Sequence, residues 1–209
     1  LAANYPFATI EPNIGVVNLP DRRLEVLADI FGSERILPAP VSFVDIAGIV
    51  RGASEGEGLG NQFLATIREA DAIAQVVRGF ADPDVIHVDG AVDPASDIAT
   101  ILTELALADL QTLEKAINRY EREVKGKKTE PIVLETALAA KAILDAGTPL
   151  STSNLDITPI RELGLLTAKP ILYVFNVDDA VLGDPAKRAE LTALVPGAEV
   201  VMLDAKLES

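Results

Sequence analysis

The sequence of 209 residues contains no cysteine, no tryptophan and a single histidine, and aromatic residues make up only 4% of it. Without cysteine these residues form neither disulfides nor thiolate metal sites. Such a composition is typical of a reducing cytosol, so we expect a cytoplasmic location. Because hydrophobic residues nevertheless reach 49%, the core of the protein has to be built from aliphatic side chains.

Long hydrophobic runs are also absent. No apolar stretch approaches the roughly 18 residues of a membrane-spanning helix, and the first residues, LAANYPFATIEPN, lack the features of a signal peptide. We therefore expect no association with membranes. The formal net charge is −14, so the surface as a whole repels nucleic acid. Direct binding to DNA is not expected, and any contact with RNA requires a local basic patch.

Runs of β-branched and aromatic residues alternate with helical patterns along most of the chain, which predicts an α/β domain with a largely parallel sheet. Leu59, Phe63 and Ile67 recur every four residues and indicate an amphipathic helix. The strand at 41–48 is expected to be buried. The predicted strands cover 14–20, 41–48, 73–80, 170–177 and 199–205, with further helices over 21–31 and 185–195.

Residues 95–147 depart from this alternation. Their apolar residues step by three and four, the spacing of a coiled-coil stripe, in two stretches separated by a polar turn at 126–128. Pro131 is suited to open the second helix, so we predict an antiparallel helical hairpin inserted into the α/β domain. The two stripes are Leu110, Leu113, Ile117, Tyr120 and Val124, and Val133, Ala137, Ala140 and Leu144.

This pattern divides the chain into three parts. Residues 1–94 form the N-terminal part of the α/β domain, 95–150 the inserted hairpin and 151–209 the C-terminal part of the domain. The end of the first hairpin helix, RYEREVKGKK at 119–128, is the most basic decapeptide in the sequence. Such a cluster is either a solvated helix tip or a docking surface, and the sequence leaves both open.

The stretch DIAGIVRGASEGEGLGNQFL at 45–64 has the features of a phosphate sensor. Such a sensor needs a carboxylate near Mg²⁺, a backbone N–H at the terminal phosphate and a segment that reorganises when that phosphate leaves. Asp45 and Gly48 supply the first two on one tight turn. The glycines that follow supply the third, because glycine permits backbone angles that other residues resist. Taken alone, Asp-x-x-Gly is also the pattern of an ordinary strand-end turn.

Three further residues lie at positions that suit the same kind of site. Thr9, in a proline-bounded loop before the first strand, has a hydroxyl that can complete a Mg²⁺ shell, although threonine is common in loops. Asn176 ends a buried strand, where α/β sheets bind ligands, and its amide can hydrogen-bond a purine edge, although asparagine also forms turns. Ala205 follows the last strand in Asp204-Ala205-Lys206, where its backbone N–H can face the base.

These motifs resemble the YchF / Obg-like ATPase branch of the Obg-related translation-factor NTPases. NYPFATIEPNIGVV is similar to the family's first switch and DIAGIVRGASEGEGLGNQFL to its second, and IHVDGAVDPASDI and TELALADLQTLEKAI resemble the following segments. The resemblance covers essentially the whole chain. It implies a P-loop NTPase domain, similar to a G domain, with the helical hairpin inserted. It also implies hydrolysis of ATP or GTP, contact with ribosomal RNA or protein, and a nucleotide-controlled switch in translation or stress response.

By this resemblance Thr9 and Asp45 serve Mg²⁺, Gly48 the γ-phosphate, and Asn176 and Ala205 the base. The base motif departs from the patterns of its relatives, which are Asn-Lys-x-Asp in guanine-specific enzymes and usually Asn-x-x-Glu in this family. Here it reads Asn176-Val177-Asp178-Asp179, which places Val177 and Asp179 in the base site. The motif lacks the lysine and keeps the guanine-type aspartate, so the preference between ATP and GTP stays open, with ATP ahead.

The residue that positions the attacking water is also not evident. Many such enzymes have a glutamine directly after the Asp-x-x-Gly, where this sequence has Ile49, which cannot orient water by hydrogen bonding. His87, in the proline-bounded loop ADPDVIHVDGAVDP, is the candidate catalytic group because a mobile histidine can swing toward the γ-phosphate. The alternative is a surface histidine capped by Asp84 or Asp89.

Two parts of the family pattern are missing from these 209 residues. The Walker A loop should precede Leu1, and a C-terminal RNA-binding-like domain is expected after Ser209, so the sequence suggests the middle of a longer protein. The 209 residues alone are expected to be inactive. The leading interpretation is a ribosome-associated, Mg²⁺-dependent ATPase, or GTPase. The alternatives are a GTP-specific Obg-type ribosome-assembly factor and a nucleotide-gated binding module with incidental hydrolysis.

Overall fold

The computed structural model describes residues 13–46, 59–80 and 92–208. The chain divides into two compact units, Leu1–Gly48 and Ile49–Ser209. In the first unit, strand β1 (Asn13–Asn18) and strand β2 (Pro40–Asp45) form an antiparallel ribbon in which Asn13 pairs with Asp45. Helix α1 (Arg23–Phe31) connects them and ends at Gly32, whose φ of 62° is left-handed. The strands and helix lie where the sequence predicts them.

The prediction that the strand at 41–48 is buried is wrong for β2. Val41 is 39% exposed and Phe43 54%, and α1 likewise leaves Phe31 76% exposed. A two-stranded ribbon and one nine-residue helix have too little mass to cover their own apolar faces. The antiparallel direction of this pair also departs from the largely parallel sheet, because alternation along a strand carries no information about the direction of its neighbour.

The second unit contains a three-stranded parallel sheet with β4 in the centre. The strands are β3 (Ile73–Arg78), β4 (Ile171–Asn176) and β5 (Glu199–Leu203). The ends of the strands are in register, because Arg78 pairs with Asn176 and Asn176 pairs with Leu203. The three strands therefore end at the same edge of the sheet. Helices α2 (Leu59–Glu69), α5 (Asp179–Leu182) and α6 (Pro185–Ala193) belong to the same unit, and the predicted α/β fold is confirmed.

One face of this sheet is packed. Phe175, Val77 and Val177 are at most 1% exposed and form a core with Ile98 of the following long helix. The hairpin helices are α3 (Pro94–Lys125), which Asp93 caps by accepting the N–H groups of Ala95 and Ser96, and α4 (Pro131–Asp145). The three-part division of the chain at 95 and 150 stays a prediction.

The two hairpin helices pack through the predicted stripes. The members Leu113, Ala137 and Ala140 are fully buried, and Tyr120 is 2% exposed. Alanine at two facing positions lets the helix backbones approach closely, which agrees with the narrow stripe in the sequence. None of the helices in the described ranges is long and apolar enough to cross a membrane.

A return segment leads from the hairpin back to β4 through three short 3-10 turns, Leu150–Thr152, Thr158–Leu163 and Leu166–Ala168. Asp109 of α3 holds this segment with both carboxylate oxygens. One accepts the Leu166 N–H at 2.8 Å, and the other accepts the N–H of Thr167 at 2.8 Å and its hydroxyl at 2.7 Å. Asp109 is fully buried, and this burial raises its pKa although the three hydrogen bonds oppose the shift.

Candidate nucleotide-binding site

Asn176 and Ala205, the two residues predicted to contact a base, meet at the carboxyl edge of the parallel sheet. Asn176 is the last residue of β4, and its Oδ1 accepts the backbone N–H of Ala205 at 3.1 Å. Directly beneath, the Val177 N–H donates to the Leu203 carbonyl at 2.9 Å. Side chain and backbone thus join the segments that follow β4 and β5, and the Ala205 N–H is held by Asn176 in this arrangement.

The turn after β5 is built by Asp204. Its Oδ1 accepts the N–H groups of Lys206 at 2.9 Å and Leu207 at 3.3 Å, which is an Asx-type turn. The turn brings the chain back toward the end of β4, so that Ala205 reaches Asn176. Within the predicted Asp-Ala-Lys motif, the aspartate therefore stabilises the turn that positions Ala205.

The four residues of the predicted base motif differ in what they contact. The Val177 side chain is 1% exposed and packs into the core, so it supports the site from beneath. Asp178 caps helix α5 by accepting the Val181 N–H at 2.9 Å. Asp179 is the first residue of α5 and is exposed, so its carboxylate is accessible at the sheet edge.

Gly79 is a residue of this site that the sequence analysis did not single out. Its N–H donates to the Asn176 carbonyl at 2.8 Å, which ties the end of β3 to the end of β4. A Cβ at Gly79 would lie 2.8 Å from Cγ1 of the buried Val177, a distance that real Cβ atoms essentially never show. The signal in the sequence is a glycine near the end of the predicted strand at 73–80, since glycine in a strand pattern often marks close approach of another chain segment.

The residues predicted to serve Mg²⁺ and phosphate are only partly described. Asp45 is the last residue of β2 in the first unit, and its side chain is exposed. Carboxylate oxygen is the ligand type that Mg²⁺ prefers, so Asp45 suits the predicted role. Thr9, Gly48 and His87 lie outside the described residues. Within the described ranges, no group of three or more histidine, aspartate or glutamate side chains is placed to hold a metal ion.

A depression of about 460 Å³ lies elsewhere in the second unit, between α5, α6 and β5. None of its lining residues belongs to the predicted base site, and their side chains are mostly apolar. The depression is therefore separate from the Asn176–Ala205 edge. Its lining consists of Leu182, Pro185, Arg188, Ala189, Thr192, Val200 and Met202.

Comparison with known proteins agrees with the resemblance read from the motifs. The sequence profile of the 50S ribosome-binding GTPase family matches residues 1–136. Proteins named ribosome-binding ATPase YchF are 49% identical in Haemophilus influenzae and 43% identical in Bacillus subtilis, each over 100% of this chain and 59% of the relative. The solved YchF GTPase of Schizosaccharomyces pombe superposes with a TM-score of 0.73 at 32% identity, covering 99% of this chain and 59% of that one.

The chain therefore spans about 59% of the length of these relatives. The names of the relatives also differ in the nucleotide that they mention. The bacterial proteins are called ATPases and the yeast protein a GTPase. This difference bears directly on the base motif, in which the lysine of guanine-specific enzymes is missing and the aspartate is kept.

Proposed function

We propose, since this chain belongs to the 50S ribosome-binding GTPase family and within it to the YchF branch, that the protein is a ribosome-associated nucleoside triphosphatase. It binds ATP or GTP with Mg²⁺, hydrolyses the γ-phosphate and acts as a nucleotide-controlled switch in translation. A place at the ribosome implies a cytoplasmic location. The observation that carries the proposal is the Asn176–Ala205 hydrogen bond at the carboxyl edge of the parallel sheet, where α/β folds bind nucleotides.

In this proposal the purine is held by Asn176. Asn176 is fixed at a strand end by Ala205, and its carbonyl is fixed by Gly79, so its amide is presented in one orientation. Such pre-organisation lowers the entropy lost on binding. Asp179, exposed beside it, is able to accept from the N1 and N2 groups of guanine, which favours the GTP-specific alternative. Without the lysine stem that packs on a purine, however, GTP gains less, and we expect ATP to bind somewhat more tightly.

The residues proposed for Mg²⁺ and phosphate are Asp45, Thr9 and Gly48 of the first unit. Asp45 and Thr9 would hold Mg²⁺ through their side-chain oxygens, and the Gly48 N–H would donate to the γ-phosphate. Bound Mg²⁺ neutralises the charge that develops on the phosphate oxygens. Because Ile49 has no group that orients water, His87 is the residue that positions the attacking water in this proposal.

The ribosome contact is assigned to the hairpin tip, defined here as residues 119–128. Lys125, Lys127 and Lys128 are exposed there, whereas Arg119 is partly neutralised by Glu123 and Glu162 at 3.8 Å and 3.5 Å. A cluster of exposed lysines on a protein with a net charge of −14 is suited to the phosphates of ribosomal RNA.

Reversing two tip charges is expected to weaken ribosome binding. In the whole protein, Lys127→Glu with Lys128→Glu should lower the affinity at least about tenfold and reduce the salt dependence of binding, because each phosphate contact contributes about one unit to the slope. Co-sedimentation with ribosomes at several salt concentrations measures both quantities. Lys115→Glu with Lys187→Glu changes the net charge equally at exposed positions outside the tip. Equal losses in the two double variants would show that only net charge matters, and would remove the tip from the proposal.

A further inference from the structure

Helix α2 follows the glycine-rich segment 47–58 directly, and its last turn is bound to other parts of the second unit. The Arg68 guanidinium donates from Nη1 to the carbonyls of Leu163 and Gly164 at 3.2 Å and 3.1 Å, and from Nη2 to Thr112 Oγ1 at 2.9 Å. Lys169 donates from Nζ to the carbonyls of Arg68, at 3.1 Å, and Ala70. These carbonyls are the groups that a helix end leaves without internal partners.

The partners of Arg68 belong to what we call the hairpin root, made of Asp109 and Thr112 in α3 and residues 163–169 of the return segment. Its members are bound to one another, since Asp109 holds Leu166 and Thr167 with three hydrogen bonds and is itself fully buried. Thr112 donates its hydroxyl to the Ala108 carbonyl at 2.9 Å, which orients its oxygen toward Arg68. Arg68 thus links the last turn of α2 to α3 and to the return segment, and Lys169 links that turn to the return segment a second time.

The hairpin extends well beyond the point at which Arg68 contacts α3. Lys125, the last residue of α3, lies 13 positions after Thr112, or about 20 Å along the helix at 1.5 Å per residue. If a displacement of α2 rotates α3 about the root, the hairpin tip moves further than the root does. Arginine suits this task because its planar fork fixes direction as well as distance, which a single lysine contact does not.

We propose that Arg68 couples the nucleotide site to the hairpin, so that the position of the tip depends on which nucleotide is bound. The inference rests on the proposed function, because it requires the segment before α2 to sense the γ-phosphate. By thermodynamic reciprocity, a partner bound at the tip changes nucleotide affinity by the same factor as nucleotide changes the affinity of the partner. Arg68 is a positioning residue in this scheme and touches neither nucleotide nor partner.

The test measures the distance between two spin labels in the whole protein. Labels are placed at Glu121→Cys on the tip and Glu190→Cys on α6, both exposed, and residues 1–209 contain no other cysteine. Any cysteine outside these residues is replaced by serine. The distance is recorded with ADP and with a non-hydrolysable ATP analogue, both with Mg²⁺. We expect a shift of about 3 Å or more between the two states, from a helix displacement of about 1–2 Å enlarged by rotation of α3 about the root.

In Arg68→Ala the shift should fall below about 1 Å while the analogue still binds with an affinity within about tenfold of the unsubstituted protein. Arg161→Ala is the matched control, because Arg161 is an exposed arginine on the same return segment, and it should keep the full shift. A full shift in Arg68→Ala, or no shift in the unsubstituted protein although both nucleotides bind, overturns the coupling and leaves the proposed function standing. Absence of nucleotide binding in the unsubstituted protein overturns both.

A second variant tests the proposal if Arg68→Ala fails to fold. Thr112→Val keeps the shape of the side chain and removes only the oxygen that accepts from Arg68 Nη2. We expect it to remain folded by circular dichroism and to lose about half of the shift, because one arm of the fork remains attached to Leu163 and Gly164. If Arg68→Ala does not fold, an undiminished shift in folded Thr112→Val overturns the proposal.

Discussion

Replacing Asp45 by alanine is expected to lower Mg²⁺-dependent nucleotide hydrolysis at least about a hundredfold in the whole protein. Asp45 ends β2 with an exposed carboxylate, and nothing else within the described part of the first unit's ribbon offers such a group at that strand end. Loss of a metal ligand removes stabilisation that matters most when charge develops on the transferred phosphate. Single-turnover hydrolysis at several Mg²⁺ concentrations measures the effect.

Two further variants help to interpret the loss of hydrolysis in Asp45→Ala. Asp29→Ala removes an exposed carboxylate of α1 in the same unit and should leave hydrolysis unchanged. His87→Ala should slow turnover about a hundredfold without weakening nucleotide binding, because the group acts only in the transition state. Unchanged single-turnover rates in the histidine variant would make His87 a surface-loop residue. If the unsubstituted protein binds nucleotide and does not hydrolyse it, the protein is a nucleotide-gated binding module.

Replacing Asp109 by asparagine should lower the free energy of unfolding by about 2–4 kcal/mol near neutral pH. The carboxylate accepts from three donors, those of the Leu166 and Thr167 backbones and the Thr167 hydroxyl. An asparagine has only one oxygen, so its NH₂ group would face one of these buried donors. Urea unfolding followed by circular dichroism measures the change. Asp145→Asn, at an exposed ion pair with Lys141, should change the free energy of unfolding much less.

The amount by which Asp109→Asn lowers the free energy of unfolding should depend on pH, because the pKa of Asp109 is raised. Between its ordinary value of 3.8 and the raised value, the folded protein holds more protons at this site than the unfolded chain does. The part of the stability that depends on protonation of Asp109 is therefore complete below pH 3.8 and declines as the pH rises through the folded-state pKa, while the part that comes from the three hydrogen bonds remains. The difference in unfolding free energy between the unsubstituted protein and Asp109→Asn should narrow over that interval. A difference that widens instead would mean that the hydrogen bonds outweigh burial.

The hairpin was the part of the fold most readily predicted from the sequence. Its stripes step by three and four over two long stretches, and this periodicity by itself assigns Leu113, Tyr120, Ala137 and Ala140 to the buried seam. The exposure of β2 was not predictable in the same way. Alternation in a strand shows that one face can be buried, but it does not show whether another element covers that face.

The candidate site was predictable as a set of strand ends, and less so as a set of contacts. Asn176 and Ala205 were expected at one edge because parallel strands end together, whereas the hydrogen bond between them depends on the turn that Asp204 forms. The contacts of the hairpin root could not be predicted from sequence patterns. Asp109 contacts a residue 57 positions away and Arg68 one 95 positions away, and both resemble ordinary charged residues of an amphipathic helix.

The central claim, that a purine nucleotide binds at the Asn176–Ala205 edge, is tested most directly by calorimetric titration of the whole protein and of Asn176→Ala with ATP and GTP. We expect ATP and GTP to bind the unsubstituted protein within about tenfold of each other, or roughly 1.4 kcal/mol, with ATP ahead. Asn176→Ala should weaken both about ten- to a hundredfold, because it removes one hydrogen bond to the base and leaves the Ala205 N–H without its acceptor. Asn118→Ala, an exposed asparagine of α3, should bind like the unsubstituted protein. Undiminished affinity in Asn176→Ala, or a preference for GTP of about a hundredfold or more, would contradict the account.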